Sequence, residues 1–180
     1  SDIGGAHSVA KLGGGTLALT GINTYAGDTS VRAGTLAVNS IRNVGQASAL
    51  GAPANATDGT IKIGTNSTVA TLSYFGPGDT SDRIISLNLT NGTATIDMSG
   101  TGPLKFTSDL ASPLTGTRTL MLQGSTTGTA EFAGSIINGG GSSMHLYKSG
   151  SGTWTLSGAN TYAGETTITG GKLIAANPGA

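Results

Sequence analysis

Residues 11–36 read KLGGGTLALTGINTYAGDTSVRAGTL, and residues 148–173 read KSGSGTWTLSGANTYAGETTITGGKL. The two stretches align without a gap. Lys11, Gly13, Gly15, Thr16, Leu19, Gly21, Asn23, Thr24, Tyr25, Ala26, Gly27, Thr29, Gly34 and Leu36 recur as Lys148, Gly150, Gly152, Thr153, Leu156, Gly158, Asn160, Thr161, Tyr162, Ala163, Gly164, Thr166, Gly171 and Leu173. An internal repeat of this kind marks an architecture built by stacking like units. Residues 16–19 and 153–156 alternate with period two, as a half-buried strand does. A Gly-x-Asn-Thr-Tyr-x-Gly segment follows, in which Gly and Asn tolerate positive φ and Asn can bond its own nearby backbone. Second strands are expected at 29–31 and 166–169, glycine corners at Ala33-Gly34 and Gly170-Gly171, and third strands at 35–38 and 172–175. Three short strands joined by sharp corners predict one triangular coil of a β-helix.

The stretch between the copies continues the theme less tidily. Strands are expected at 60–64, 84–89, 93–98, 104–107, 117–122 and 129–132, with Gly, Asn, Asp or Pro between them. Asn91-Gly92 and Asn138-Gly139 are strong turn signals. A spacing near ten residues also suits a β-sandwich, but sandwich strands have no reason to resemble one another. Helical periodicity is absent, and the Ala-rich residues 39–58 leave room for one helical turn at most. At roughly 20–25 residues per coil the chain makes about seven to nine coils, a rod on the order of 35–45 Å long. The expected fold is all-β, an elongated parallel β-solenoid running through residues 1–180 as one segment.

Composition supports a thin stacked fold. Only 10% of the 180 residues are charged and 4% aromatic, with 31 glycines and a net charge of zero. Disorder needs high net charge and few β-branched residues, whereas Thr, Val and Ile abound here. Collagen is excluded, because Gly has no three-residue period and there are five prolines. With no cysteine, disulfides, thiolate zinc sites and a Cys nucleophile are excluded. Balanced charge lacks the concentrated basic patch that nucleic acid requires, so no nucleic-acid partner is expected. No apolar run approaches the roughly 20 residues of a membrane-spanning helix. The chain begins at Ser1 with no leader-like segment, so it reads as an excised piece of a larger protein.

The pattern Gly-x-Gly-Thr-x-x-Leu-x-Gly-x-Asn-Thr-Tyr-x-Gly-x-Thr, closing on Gly-x-Leu, resembles the autotransporter-associated β-strand repeat, also called the passenger-associated transport repeat. The copies at 13–38 and 150–175 carry the likeness, with Asp28 and Glu165 where Gly or Thr is common. Residues 57–147 are similar to the degenerate spacer between such repeats, as in Asp82-Arg83-Ile84-Ile85-Ser86-Leu87. The resemblance implies a right-handed β-helical passenger segment, a scaffold and adhesive contact surface that is extracellular or on the bacterial cell surface. It implies a C-terminal β-barrel translocator in the parent chain. Partners would be an extracellular surface, receptor or glycan, or further copies meeting through rod faces or ends. The family motif is structural, so it assigns no catalytic, cofactor or metal residue, and no enzyme activity or cofactor is expected.

Several constellations invite chemistry. His7 and His145 lack a ligand-like partner at short spacing. Gly78-Asp79-Thr80-Ser81-Asp82-Arg83 is the densest acidic spot; its oxygens suit calcium, but a solvated loop with Arg83 paired locally is the simpler reading. Stacking can bring Asp97 near Asp79 or Asp109, as a polysaccharide hydrolase requires of its carboxylates. The glycine triplets 13–15 and 139–141 read as corners. Asn55, Asn66, Asn88 and Asn91 lie in Asn-x-Ser/Thr sequons, which chance supplies in a Thr-rich chain. Thr-x-Thr pairs at 93/95, 117/119, 127/129, 153/155 and 167/169 suggest an ice-binding ladder, yet their spacing is irregular and Thr is a good strand residue. Tyr25, Tyr162 and Trp154 can stack on sugars, but the recurrence of the two tyrosines points to corner capping.

Overall fold

The structure is a computed structural model that describes residues 2–125, 129–139 and 143–177. Every regular element in it is a strand, and all strand pairs are parallel. The first side holds β1 (Val9–Lys11), β3 (Thr29–Val31), β5 (Ile61–Asn66) and β8 (Ile85–Leu89), in that order. The second holds β2 (Thr16–Leu19), β4 (Gly34–Val38), β6 (Val69–Tyr74), β9 (Gly92–Met98), β11 (Arg118–Gln123), β13 (Met144–Lys148) and β15 (Thr166–Ile168). The third holds β7 (Asp79–Ser81), β10 (Leu104–Phe106), β12 (Thr129–Phe132), β14 (Thr153–Leu156) and β16 (Lys172–Ala175). The chain passes from side to side and returns one strand higher, which is a parallel β-helix. The seven strands of the second side mark seven coils. At ~4.8 Å per strand they span about 29 Å from first to last.

Register stacks like on like. Leu17, Leu36, Leu72, Ile96 and Leu122 form one inward column on the second side. Ser81, Phe106, Phe132 and Leu156 form another on the third, with the two phenylalanine rings 5.9 Å apart. Most of these side chains are fully buried, each contributing on the order of 1.5–3 kcal/mol by leaving water. A core of single-file columns explains how a chain with so few aromatics folds at all.

One expectation is corrected. The three strands of a repeat copy do not complete one triangle. The first and third lie on the same side, Thr16 against Thr35 and Thr153 against Lys172, so the third strand already belongs to the next coil. In the first copy, the third side of the triangle is instead lined by the Asn-Thr-Tyr segment, which has no strand assignment beyond a bridge at Asn23. The Ala-rich stretch 39–58 contains no helix. It leaves the coil as a loop, yet Ile41, Ala49 and Leu50 within it are fully buried. Coil lengths reflect this: Thr16 pairs with Thr35, Ile61 with Ile85 and Arg118 with Met144, steps of 19, 24 and 26 residues, whereas Thr35 pairs with Thr71, a step of 36.

The two copies also occupy different sides. The first runs from β1 on the first side to β2 on the second; the second runs from β13 on the second side to β14 on the third. The repeat therefore encodes a corner and its flanking strands, not a fixed face.

Candidate functional site

The shared residues build the corner. Lys11 and Lys148 enter at inward strand positions, beside Val31 and Ile168 in the register. An ammonium there must find acceptors, because an unpaired buried charge is very costly. Lys11 Nζ donates to the carbonyls of Leu12 (2.9 Å), Gly13 (2.6 Å) and Ala33 (3.0 Å). Lys148 Nζ donates to those of Ser149 (2.6 Å), Gly150 (3.2 Å) and Gly170 (3.0 Å). The amine thus pins one corner to the next coil's corner. Burial pushes the Lys148 amine below its ordinary value. The stacked glycines are forced: Gly34 has φ +70° and Gly171 +65°, and a Cβ on Gly34 would lie 2.5 Å from the Gly13 carbonyl oxygen.

Asn and Tyr finish each copy. Asn23 Oδ1 accepts from Ile3 N (2.8 Å), and Asn160 Oδ1 accepts from Ile136 N (2.9 Å). The Tyr25 hydroxyl bonds Thr29 Oγ1 at 2.7 Å, and Tyr162 bonds Thr166 Oγ1 at 2.8 Å. Trp154 is buried and donates its indole N–H to Gln123 O at 3.0 Å. Tyr25 and Trp154 are thus enclosed and offer no stacking face for a sugar.

The acidic cluster at 78–83 is not a solvated loop. Arg83 is buried, and its guanidinium donates to the carbonyls of Arg42 (2.9 Å), Leu50 (2.8 Å) and Gly51 (2.9 Å). Asp79 Oδ2 accepts from Ile41 N at 2.9 Å, and Asp82 Oδ1 from Val44 N at 2.7 Å. These oxygens hold loop 39–58 as a strap against the rod. Sequence reasoning saw the cluster but missed its partner, since nothing local links residue 83 to residue 50.

The carboxylates of Asp97 and Asp109 are likewise hydrogen-bonded. Asp97 Oδ2 and Oδ1 accept from the hydroxyls of Ser73 (3.1 Å) and Ser99 (2.8 Å), and Asp109 Oδ1 accepts from Ser135 N (2.7 Å). Asp97 lies on the second side, Asp79 on the third. A shallow groove of about 480 Å³ on the third side does bring together Asp79, Lys105 and Glu131. There Glu131 pairs with Lys105 (3.0 Å) and accepts from Ser157 Oγ (2.5 Å). The Ser157 hydroxyl, and then Lys105, hold the Glu131 carboxyl below the usual carboxylate range despite partial burial. His145 Nδ1 accepts from Glu165 N (3.1 Å), and among the described residues no metal-binding cluster of His, Asp or Glu occurs. Of the sequons, Asn55 closes its own turn on Asp58 N (3.0 Å) and Asn91 accepts from Thr117 N (3.2 Å).

The threonine pairs do not form a regular ladder. Thr93 stands beside Thr119, while Thr95 stands beside Met121, so the pairs slip by two residues. Thr153 and Thr155 lie on the third side, and Thr127 lies outside the described residues. The outward column of the second side reads Thr16, Thr35, Thr71, Thr95, Met121, Tyr147, Thr167.

Stacked parallel coils with lysine-and-glycine corners define a β-helical repeat protein. Residues 9–38 and 146–175 match the Passenger-associated-transport-repeat family, so the chain is a passenger-repeat region with two copies of that unit. Over 147 residues it is 40% identical to the Adhesin BmaC autotransporter of Brucella suis biovar 1 (strain 1330). That alignment takes in 80% of this chain and 4% of the relative's length. No solved structure matches.

Proposed function

We propose that this chain is a single β-helical segment of an adhesin-type passenger, displayed on the outside of a bacterial cell as a scaffold and contact surface. The observation that carries this is the division of labour along the strands. Shared residues such as Lys11 and Lys148, Leu19 and Leu156, and Asn23 and Asn160 are turned into the core or into corner hydrogen bonds, whereas the outward column of the second side changes from Thr to Met to Tyr. Such a rod keeps its backbone and varies its faces, and affinity comes from many weak contacts along a side. The likeness to an autotransporter adhesin supports the same reading and implies a β-barrel translocator in the parent chain.

A catalytic reading finds no general acid in Glu131. A glycosidase acid needs a raised carboxyl pKa, and the Glu131 carboxyl is moved the other way. The test uses the folded chain on host cells, matrix proteins and a glycan panel. Met121→Asp combined with Tyr147→Ala should weaken surface binding at least tenfold while the β-sheet circular dichroism stays unchanged. Undiminished binding, or release of reducing ends from a polysaccharide, would overturn the proposal.

A further inference from the structure

On the third side, Thr80, Lys105, Glu131 and Thr155 stand one above the next as an outward column. The shallow groove of about 480 Å³ runs beside the lower three. Strands β14 and β16 continue this side above it, and the strap packs below it through Ile41 and Arg42. Neither end of the chain therefore shapes it. One wall is stiff, because Pro77-Gly78 and Gly102-Pro103 pack backbone on backbone. A Cβ on Gly78, at φ +123°, would lie 3.1 Å from Pro103 Cδ, and one on Gly102 would collide with the Pro77 carbonyl. The proline rings fix their own φ and remove two N–H groups from this wall.

The polar groups of the groove are held in place from behind. Tyr74 is fully buried, and its hydroxyl accepts from Gly78 N (2.8 Å) and donates to Asp79 Oδ2 (3.3 Å). Burial pushes this phenol up to about 12, so it stays protonated and keeps donating. Asp79 Oδ2 also accepts from Ile41 N, while Oδ1 has no donor among the described residues. Glu131 gives one carboxylate oxygen to Lys105 Nζ (3.0 Å) and the other to Ser157 Oγ (2.5 Å). An ammonium has three N–H donors, so the half-exposed Lys105 keeps donors for a further partner.

We infer that this groove binds a neutral saccharide, a disaccharide unit lying along the rod axis beside Lys105. Each sugar hydroxyl both donates and accepts. One donates to the Asp79 or Glu131 carboxylate while its neighbour accepts from the Lys105 ammonium, and such charge-assisted bonds are the strong kind. Asp79 and Glu131 sit on strands two steps apart, about 9.6 Å at ~4.8 Å per step. Two linked rings bridge that reach and one does not. The prolines offer an apolar rest for the C–H face of a ring. Two carboxylates to one ammonium leave the groove negative, which turns away uronic and sialic acids. Its lining holds no aromatic ring, so the affinity is modest. The inference rests on the contact-surface reading but concerns a different side from Met121 and Tyr147.

The test is an NMR titration of the isotope-labelled chain with lactose, maltose and cellobiose, and with digalacturonate as the acidic probe. Amide shifts should centre on residues 78–80, 104–106 and 129–132, with a Kd of about 1–10 mM for at least one neutral disaccharide. Glu131→Gln and Lys105→Met should each weaken that binding at least tenfold while the β-sheet circular dichroism stays unchanged. Digalacturonate should bind at least tenfold more weakly than the best neutral sugar. Met121→Asp with Tyr147→Ala should leave the sugar titration unchanged, so failure of the second-side contact and failure of this groove are read separately. No shifts up to about 100 mM of any neutral disaccharide, shifts centred elsewhere, or undiminished binding by the two groove variants would overturn the site. So would tighter binding of digalacturonate, or release of monosaccharide, because the groove would then be anionic in taste or catalytic.

Discussion

At the residue scale, the glycine triplet at 13–15 separates conformational need from mere abundance. Gly34, stacked on that triplet, has both a positive φ and backbone where a Cβ would go, whereas Gly14 has neither. Gly34→Ala should therefore lower stability by about 2 kcal/mol or more, and Gly14→Ala should change it by less than about 0.5 kcal/mol. Urea unfolding of the pair reads this out, and equal losses would mean the corner tolerates a side chain. Lys148 offers a second check. Lys148→Met keeps the apolar stem but strips three carbonyls of their donor, at a cost of about 1–3 kcal/mol. A more stable Met variant in the same assay would show that the amine is tolerated rather than needed.

At the element scale, the strap is the feature that sequence hid. The repeat motifs made the strands near 16, 29, 35, 153, 166 and 172 legible, because alternation and glycine corners act over a few residues. Leu19 and Leu156 were legible as inward for the same reason, and both are buried. The strands β1, β6, β7 and β13 escaped notice. Val9–Lys11 and Met144–Lys148 carry a lysine at an inward position, which reads as polar until its carbonyl partners are seen. Asp79–Ser81 is three polar residues whose strand pairing comes wholly from Leu104–Phe106 above it. The role of Arg83 depends on residues 32, 33 and 41 positions away, a separation no local pattern reports. Arg83→Leu should loosen the strap alone: amides of residues 41–52 should exchange faster, with the seven-stranded side unchanged. Uniformly faster exchange would show that Arg83 supports the whole rod.

At the scale of the whole molecule, acid is the expected weakness. Two bridges tie one coil to its neighbour: Lys62 to Asp28, and Lys105 to Glu131. Burial acts to raise the Asp28 carboxyl, but hydrogen bonds from Lys62 and Ser8 outweigh it, so Asp28 is lowered, as Glu131 is. With folded values below the ordinary 3.8 and 4.5, the unfolded chain takes up protons first as pH falls. Their contribution is complete above those values and lost as pH drops through the folded ones. Glu131→Gln should lower the neutral denaturation midpoint slightly and flatten its fall below about pH 4.5, so that variant and wild type converge in acid. An unchanged acid slope would remove Glu131 from the account.

The displacement of the second repeat to a neighbouring side has a geometric result. Equivalent outward positions of the two copies, such as Thr16 and Thr153, aim along different compass bearings around the axis. A flat partner pressed against one bearing cannot also meet the other. Duplicating this unit therefore gives the rod several azimuths from one template, so that neighbouring molecules approaching from different quarters each find a comparable edge.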